Sequence, residues 1–146
     1  MTQKSPLNTL IEIEEKNTDD AAKRLGNAIR AHEETEKKLA LLVQYRDDYD
    51  IRFQDGAAKG LSITQYHNFQ SFIRKLDSAI DGQKLVVKDA ENRIQQARKL
   101  WQDHERKRLS YGTLQNRAEV SLQNKETKRD QKAMDEHASR SFFYKR

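Results

Sequence analysis

Four histidines and a cluster of acids are the residues of this chain best suited to chemistry. His32, His67, His104 and His137 are scattered, and no cysteine stands anywhere to join them. Disulfides, thiol nucleophiles and thiolate-held metals are therefore excluded. Asp47, Asp48 and Asp50 crowd one short stretch. They could attract a cation, but helical backbone cannot wrap an ion as a calcium-binding loop does. Their plainer reading is a solvated helix face. No Gly-x-Gly-x-x-Gly and no Gly-Lys-Ser/Thr occurs to cradle a phosphate. The residues that could react thus form no catalytic set. The expectation is a protein that is not an enzyme, with no catalytic residues, no cofactor and no metal.

The elements that carry these residues can be placed from sparse punctuation. Ser5 and Pro6 make a cap followed by proline at a first helical position. The run Asp55-Gly56-Ala57-Ala58-Lys59-Gly60-Leu61-Ser62 reads as a turn, with Ser62 or Thr64 capping the second helix. No other proline appears, and no alternating run bounded by turns suggests a strand. The expected layout is a helix over about 6–54, a turn over about 55–63, a helix over about 64–138 and a flexible tail over about 139–146. All of this forms one coiled-coil domain spanning 1–146.

A seven-residue period defines the packing. In the second helix, steps of seven from Tyr66 give Ile73, Ile80, Val87, Ile94 and Trp101, and then Arg108, Gln115 and Leu122. The companion row runs Phe69, Leu76, Gln83, Ala90, Ala97, His104, Tyr111 and Ala118. The first helix matches, with Ile11, Thr18, Leu25, His32, Leu39, Arg46 and Phe53 in one row. Its other row is Leu7, Glu14, Ala21, Ala28, Thr35, Leu42 and Tyr49. Such a repeat favours a left-handed coil, and the short turn makes it antiparallel. The fold class is all-α: a long two-helix antiparallel coiled-coil hairpin with an overhanging second helix. The frame sets Phe53 near Tyr66, Leu39 near Ile80, Leu25 near Ile94 and Leu7 near Tyr111. The first helix then runs out opposite about residue 112, and the remainder of the second has no partner within the chain.

Charge and composition support a thin seam over a globular core. Hydrophobic and charged residues each make up 35% of the chain, and the net charge is only +5. Residues 1–97 carry 15 Lys/Arg against 16 Asp/Glu, and residues 98–146 carry 13 against 7. The basic excess therefore belongs to the overhang, where lysines and arginines alternate with acids and build no continuous face for nucleic acid. No apolar run long enough for a membrane span occurs, and the N-terminus lacks the pattern of a signal peptide. A cytoplasmic location is the default. Ser141-Phe142-Phe143-Tyr144-Lys145-Arg146 sets three aromatic residues beside two cations, suited to a disordered tail or to partner capture.

Near the turn, aromatic residues flank the seam. Phe72, Leu76, Ala79 and Gln83 keep a three-and-four spacing on the second helix, and Lys38, Leu42, Tyr45 and Tyr49 do so on the first. They either broaden the seam or form a docking surface, since aromatic anchors beside a narrow core are common where a partner lands.

The Leu42, Tyr45 and Tyr49 tip and the run Tyr66-His67-Asn68-Phe69-Gln70-Ser71-Phe72-Ile73 resemble the FliJ family of flagellar export proteins. So do Leu114-Gln115-Asn116-Arg117 and Asp130-Gln131-Lys132-Ala133-Met134-Asp135-Glu136. The resemblance spans nearly the whole chain. It implies a stalk-like coiled coil of the flagellar type III export apparatus, needed for flagellum assembly and motility. Its implied partners are the export ATPase ring (FliI), the export gate protein FlhA and export chaperones, with no nucleic acid. The implied location is peripheral, at the cytoplasmic face of the inner membrane, reached through those partners, and the isolated protein is expected to be a monomer. Phe72, Leu76, Ala79 and Gln83 match the family's gate-contacting stripe, with Gln83 where a histidine is expected. Leu42, Tyr45 and Tyr49 match the neighbouring tip surface, with Lys38 in place of a glutamine. A generic homodimeric coiled-coil adaptor or chaperone is the alternative.

Overall fold

The computed structural model describes residues 5–144, and two α-helices account for nearly all of them: α1, Pro6–Lys59, and α2, Ile63–Tyr144. No strand occurs among the described residues. The start of α1 is capped as its sequence requires. The Asn8 backbone N–H donates to Ser5 Oγ at 3.2 Å, and Pro6 takes a position whose N–H has no helical acceptor to lose.

The turn is shorter than the expected 55–63 and comprises only Gly60, Leu61 and Ser62. Gly56 does not break the helix; it lies within α1, at a cost of roughly 1 kcal/mol against alanine. Its missing side chain has a use, because a Cβ at that position would come 3.2 Å from the Leu61 side chain. Gly60 ends the helix. Alone among the described residues it takes a left-handed φ, 93°, and its N–H donates to the Ala57 carbonyl at 3.3 Å. Ser62 then opens α2 with a reciprocal capping box. The Gln65 N–H donates to Ser62 Oγ and the Ser62 N–H donates to Gln65 Oε1, both at 3.1 Å. Ser62, and not Thr64, is the cap.

The described chain packs as two compact units. The first joins residues up to Thr18 with those from Asp103 onward, and the second spans Asp19–Gln102. In the second unit the two helical arms are antiparallel, and contact partners climb on α1 as they fall on α2. His32 meets Glu91, Thr35 meets Gln83, Arg46 meets Asp77 and Phe53 meets Tyr66. The Phe53 and Tyr66 rings, paired by the heptad frame, have centroids 5.6 Å apart. Ala21, Ile80 and Ala90 are its buried apolar residues.

The first unit has the same antiparallel sense with a more polar seam. Glu14 and Thr18 are each only 6% exposed. Thr18 Oγ1 donates to the Glu14 carbonyl at 2.8 Å, and His104 Nδ1 stands 2.5 Å from Glu14 Oε1. Gln115 Nε2 donates to Asn8 Oδ1 at 2.7 Å. From Asn116 to Tyr144 every residue is exposed, as an overhang requires. The helix nevertheless continues past the expected end near 138. No glycine or proline comes after Gly112, so nothing in the sequence stops it. Of the expected tail, Lys145 and Arg146 lie outside the described residues. No described helix is long and apolar enough to cross a membrane.

The glycines give a two-sided test. Gly82 has open space around it and lies inside α2, so Gly82→Ala is expected to stabilise by up to about 1 kcal/mol. Gly60→Ala forces a side chain onto a left-handed φ and is expected to destabilise by about 1–2 kcal/mol. Urea denaturation midpoints of the two variants should shift in opposite directions.

Candidate functional site

An aromatic cluster near the turn builds the most developed surface of the second unit. Tyr49 and Phe69 occupy facing seam positions, and their ring centroids lie 5.0 Å apart. Phe53 packs against Phe69 at 5.5 Å, which closes the cluster toward the turn. Phe72, one helical step outside the seam, leans on Tyr49 at 4.4 Å with the rings tilted by 47°. Tilted rings at this separation gain about 0.5–1.5 kcal/mol beyond the area they bury. Tyr49 is therefore fixed from two sides, and Phe72 rests on it while remaining 44% exposed.

Tyr49 and Phe72 from this cluster line a groove of about 300 Å³. Its lining is Tyr45, Asp48, Tyr49, Arg52, Phe72 and Leu76. Tyr45, also in the lining, is 57% exposed. The groove thus unites Phe72 and Leu76 from the predicted stripe of α2 with Tyr45 and Tyr49 from α1. Heptad geometry explains the shape: Tyr45 and Phe72 occupy positions beside the seam, where a two-stranded coil cannot cover them. The lining offers aromatic and aliphatic surface, one acid and one base, but no histidine, serine or cysteine. Such a site suits binding and not covalent chemistry.

The other predicted residues are distributed differently. Leu42 is half-buried in the seam row and Ala79 is exposed, and neither lines the groove. Gln83 turns inward: its Nε2 donates to the Thr35 carbonyl at 3.0 Å, tying the two arms together. Lys38 is exposed. Sequence reasoning missed Asp48 and Arg52 as groove residues. By charge alone Asp48 belongs to an acidic face, yet both residues lie three or four positions from Tyr45 or Tyr49 and so share their face.

Electrostatics next to the groove is organised by one cross-helix pair. Arg46 Nε donates to Asp77 Oδ1 at 3.0 Å. That hydrogen bond, and then the Asp77 charge, push the guanidinium pKa further above its ordinary value, with smaller help from Asp50 and Asp47. Part of the Asp47 and Asp50 patch is thereby balanced by a seam cation, which favours the reading of a solvated face.

The comparisons with known proteins agree in kind. A family profile described as "Flagellar FliJ protein" matches residues 3–146. The chain is 31% identical over 145 residues to a protein of that name from Salmonella typhi, covering 99% of both chains. It is 28% identical over 145 residues to the one from Escherichia coli (strain K12), again over 99% of both. A Buchnera aphidicola protein of the same name is 29% identical over 92 residues, or 63% of each chain.

The ring contacts separate residues that hold the groove from residues that only present it. Tyr49→Ala removes the ring against which both Phe69 and Phe72 rest and is expected to cost about 2–3 kcal/mol of stability. Tyr45→Ala, at an exposed position, should change stability by less than about 0.5 kcal/mol. Chemical denaturation followed by circular dichroism measures both.

Proposed function

Because the chain belongs to the flagellar FliJ family, we propose that it is a non-enzymatic, stalk-like component of the flagellar type III export apparatus. In this reading it works in the cytoplasm, peripheral to the inner membrane, and is needed for flagellum assembly and motility. It couples the export ATPase ring (FliI) to the export gate protein FlhA and escorts export chaperones. The groove formed by Tyr45, Tyr49, Phe72 and Leu76 is the observation that carries this reading. Phe72 is held against Tyr49 of the seam yet 44% exposed, the condition under which an aromatic anchor makes strong contacts with a partner. Phe72, Leu76 and Ala79 dock the gate. Tyr45 and Tyr49 extend the same surface, and Leu42 supports it from the seam. Gln83 contributes through its seam bond to Thr35 and not by direct contact.

The ring-binding role falls to the exposed part of α2 beyond Gln115. There Arg117, Lys125 and Lys128 share one face with Val120. A helix with no intrachain partner and a basic excess suits a lumen that supplies the missing contacts. Coupling is mechanical in this account, since the chain transmits the state of one partner to another without chemistry of its own. The seam rows of each unit are occupied by intrachain packing, which favours a monomeric stalk over the homodimeric adaptor.

Phe72→Ala and Leu76→Ala are each expected to weaken binding to the purified cytoplasmic part of FlhA by roughly 10–30-fold, with helicity unchanged by circular dichroism. Unaltered affinity in both variants, or a large loss of helicity, would count against the docking role. Deleting residues 116–144 should abolish capture of the ATPase ring and spare gate binding.

A further inference from the structure

We propose that His32, Glu36 and Glu91 form a binding site for a divalent transition metal of the zinc type, linking the two arms of the second unit. His32 and Glu36 lie one turn apart on α1, and Glu91 reaches them from α2. One donor atom from each lies within 4.8 Å of the other two. His32 Nε2 is 3.2 Å from Glu36 Oε1 and 3.5 Å from Glu91 Oε1. Neither contact meets hydrogen-bond geometry, and this buried nitrogen has no hydrogen-bond partner. A buried imidazole nitrogen left in that condition costs free energy unless something else binds it.

The separations suit a metal better than a proton. Tetrahedral zinc with bonds of about 2.0–2.1 Å holds neighbouring donor atoms about 3.3 Å apart. The two nitrogen–oxygen distances fall on either side of that value. One nitrogen with two carboxylates selects zinc-type ions over magnesium or calcium, which prefer all-oxygen shells. The two carboxylates also supply the negative charge that a dication requires. His32 is positioned by the seam, its side chain only 17% exposed, while Glu36 and Glu91 are 56% and 53% exposed. The site therefore has one fixed donor and two adjustable ones. A fourth position remains for water or for a donor from a partner. The sequence alone does not reveal this site, because the heptad frame marks His32 as a seam residue and gives no reason to bring Glu91 to it.

The test uses the full chain, treated with chelator and then titrated calorimetrically with zinc chloride. One ion per chain is expected, and cobalt(II) should give the intense visible absorption of a four-coordinate site. Glu91→Gln is half exposed and should fold normally, yet it is expected to weaken zinc binding by at least about tenfold. His32→Asn should do the same, and His67→Asn should change nothing. Zinc should raise the melting temperature of the original chain and leave that of Glu91→Gln unmoved. The proposal is overturned if the chain takes up no zinc, if Glu91→Gln binds as tightly as the original, or if only His67→Asn abolishes uptake.

Discussion

A seam between two helices buries one stripe of each, and here that stripe is thin. Ala21, Ile80 and Ala90 are its buried apolar residues, and the others along it remain partly wet. Hydrophobic contact on so narrow a front favours antiparallel pairing in general, without choosing one alignment among those seven residues apart. The three-residue turn, closed by Gly60 and capped at Ser62, makes that choice, and the polar partners reinforce it. In the first unit Glu14 is covered and needs His104. A slide by one heptad would set it against Ala97 or Tyr111, with a covered carboxylate lacking its partner. In the second unit the Arg46–Asp77 and Gln83–Thr35 bonds exert the same selection. Polar groups that add little net stability thus reinforce the register within each unit.

That register places the groove. Tyr49 occupies the seam because the heptad puts it there, and Phe69 on α2 meets it because the alignment is the one described. Phe72 is then the next outward-facing ring. A partner landing on Phe72 meets a side chain whose support is already in place, so little rotamer freedom remains to be lost on binding. Tyr45 has no such backing and presents its ring from the open side.

The parts of the molecule legible in the sequence are those that many residues specify together. Each predicted seam position from Leu7 to Phe53 is at least half covered, as is each from Phe69 to Gln115 on α2. A period repeated that often survives any single exception. Helix ends are different, because one residue decides them. Gly56 and Gly60 look alike in sequence, yet only Gly60 adopts the left-handed backbone, so the turn is three residues long. The end of α2 lies beyond the expected 138 because polar residues weaken the seam without stopping the helix. Cross-helix polar contacts are hidden for another reason. The heptad frame sets Thr35 opposite Gln83 but does not show that the amide bonds a backbone carbonyl, and it puts His32 opposite Val87, one turn away from Glu91. Asp48 and Arg52 escape notice because their place on the rim depends on the neighbouring rings and not on their own charge.

The bare stretch of α2 from Asn116 to Tyr144 has a thermal consequence. It is longer than the roughly 12–15 residues below which an isolated helix is marginal, yet its turns rest only on their own hydrogen bonds and propensities. Such a helix does not melt in a single step. Warming unwinds it progressively, and each residue lost withdraws about 1.5 Å of helical rise. The distance over which this stretch is rigid is therefore graded by temperature. A partner that grips the stretch would halt the fraying and lengthen the stiff part of the helix as it binds.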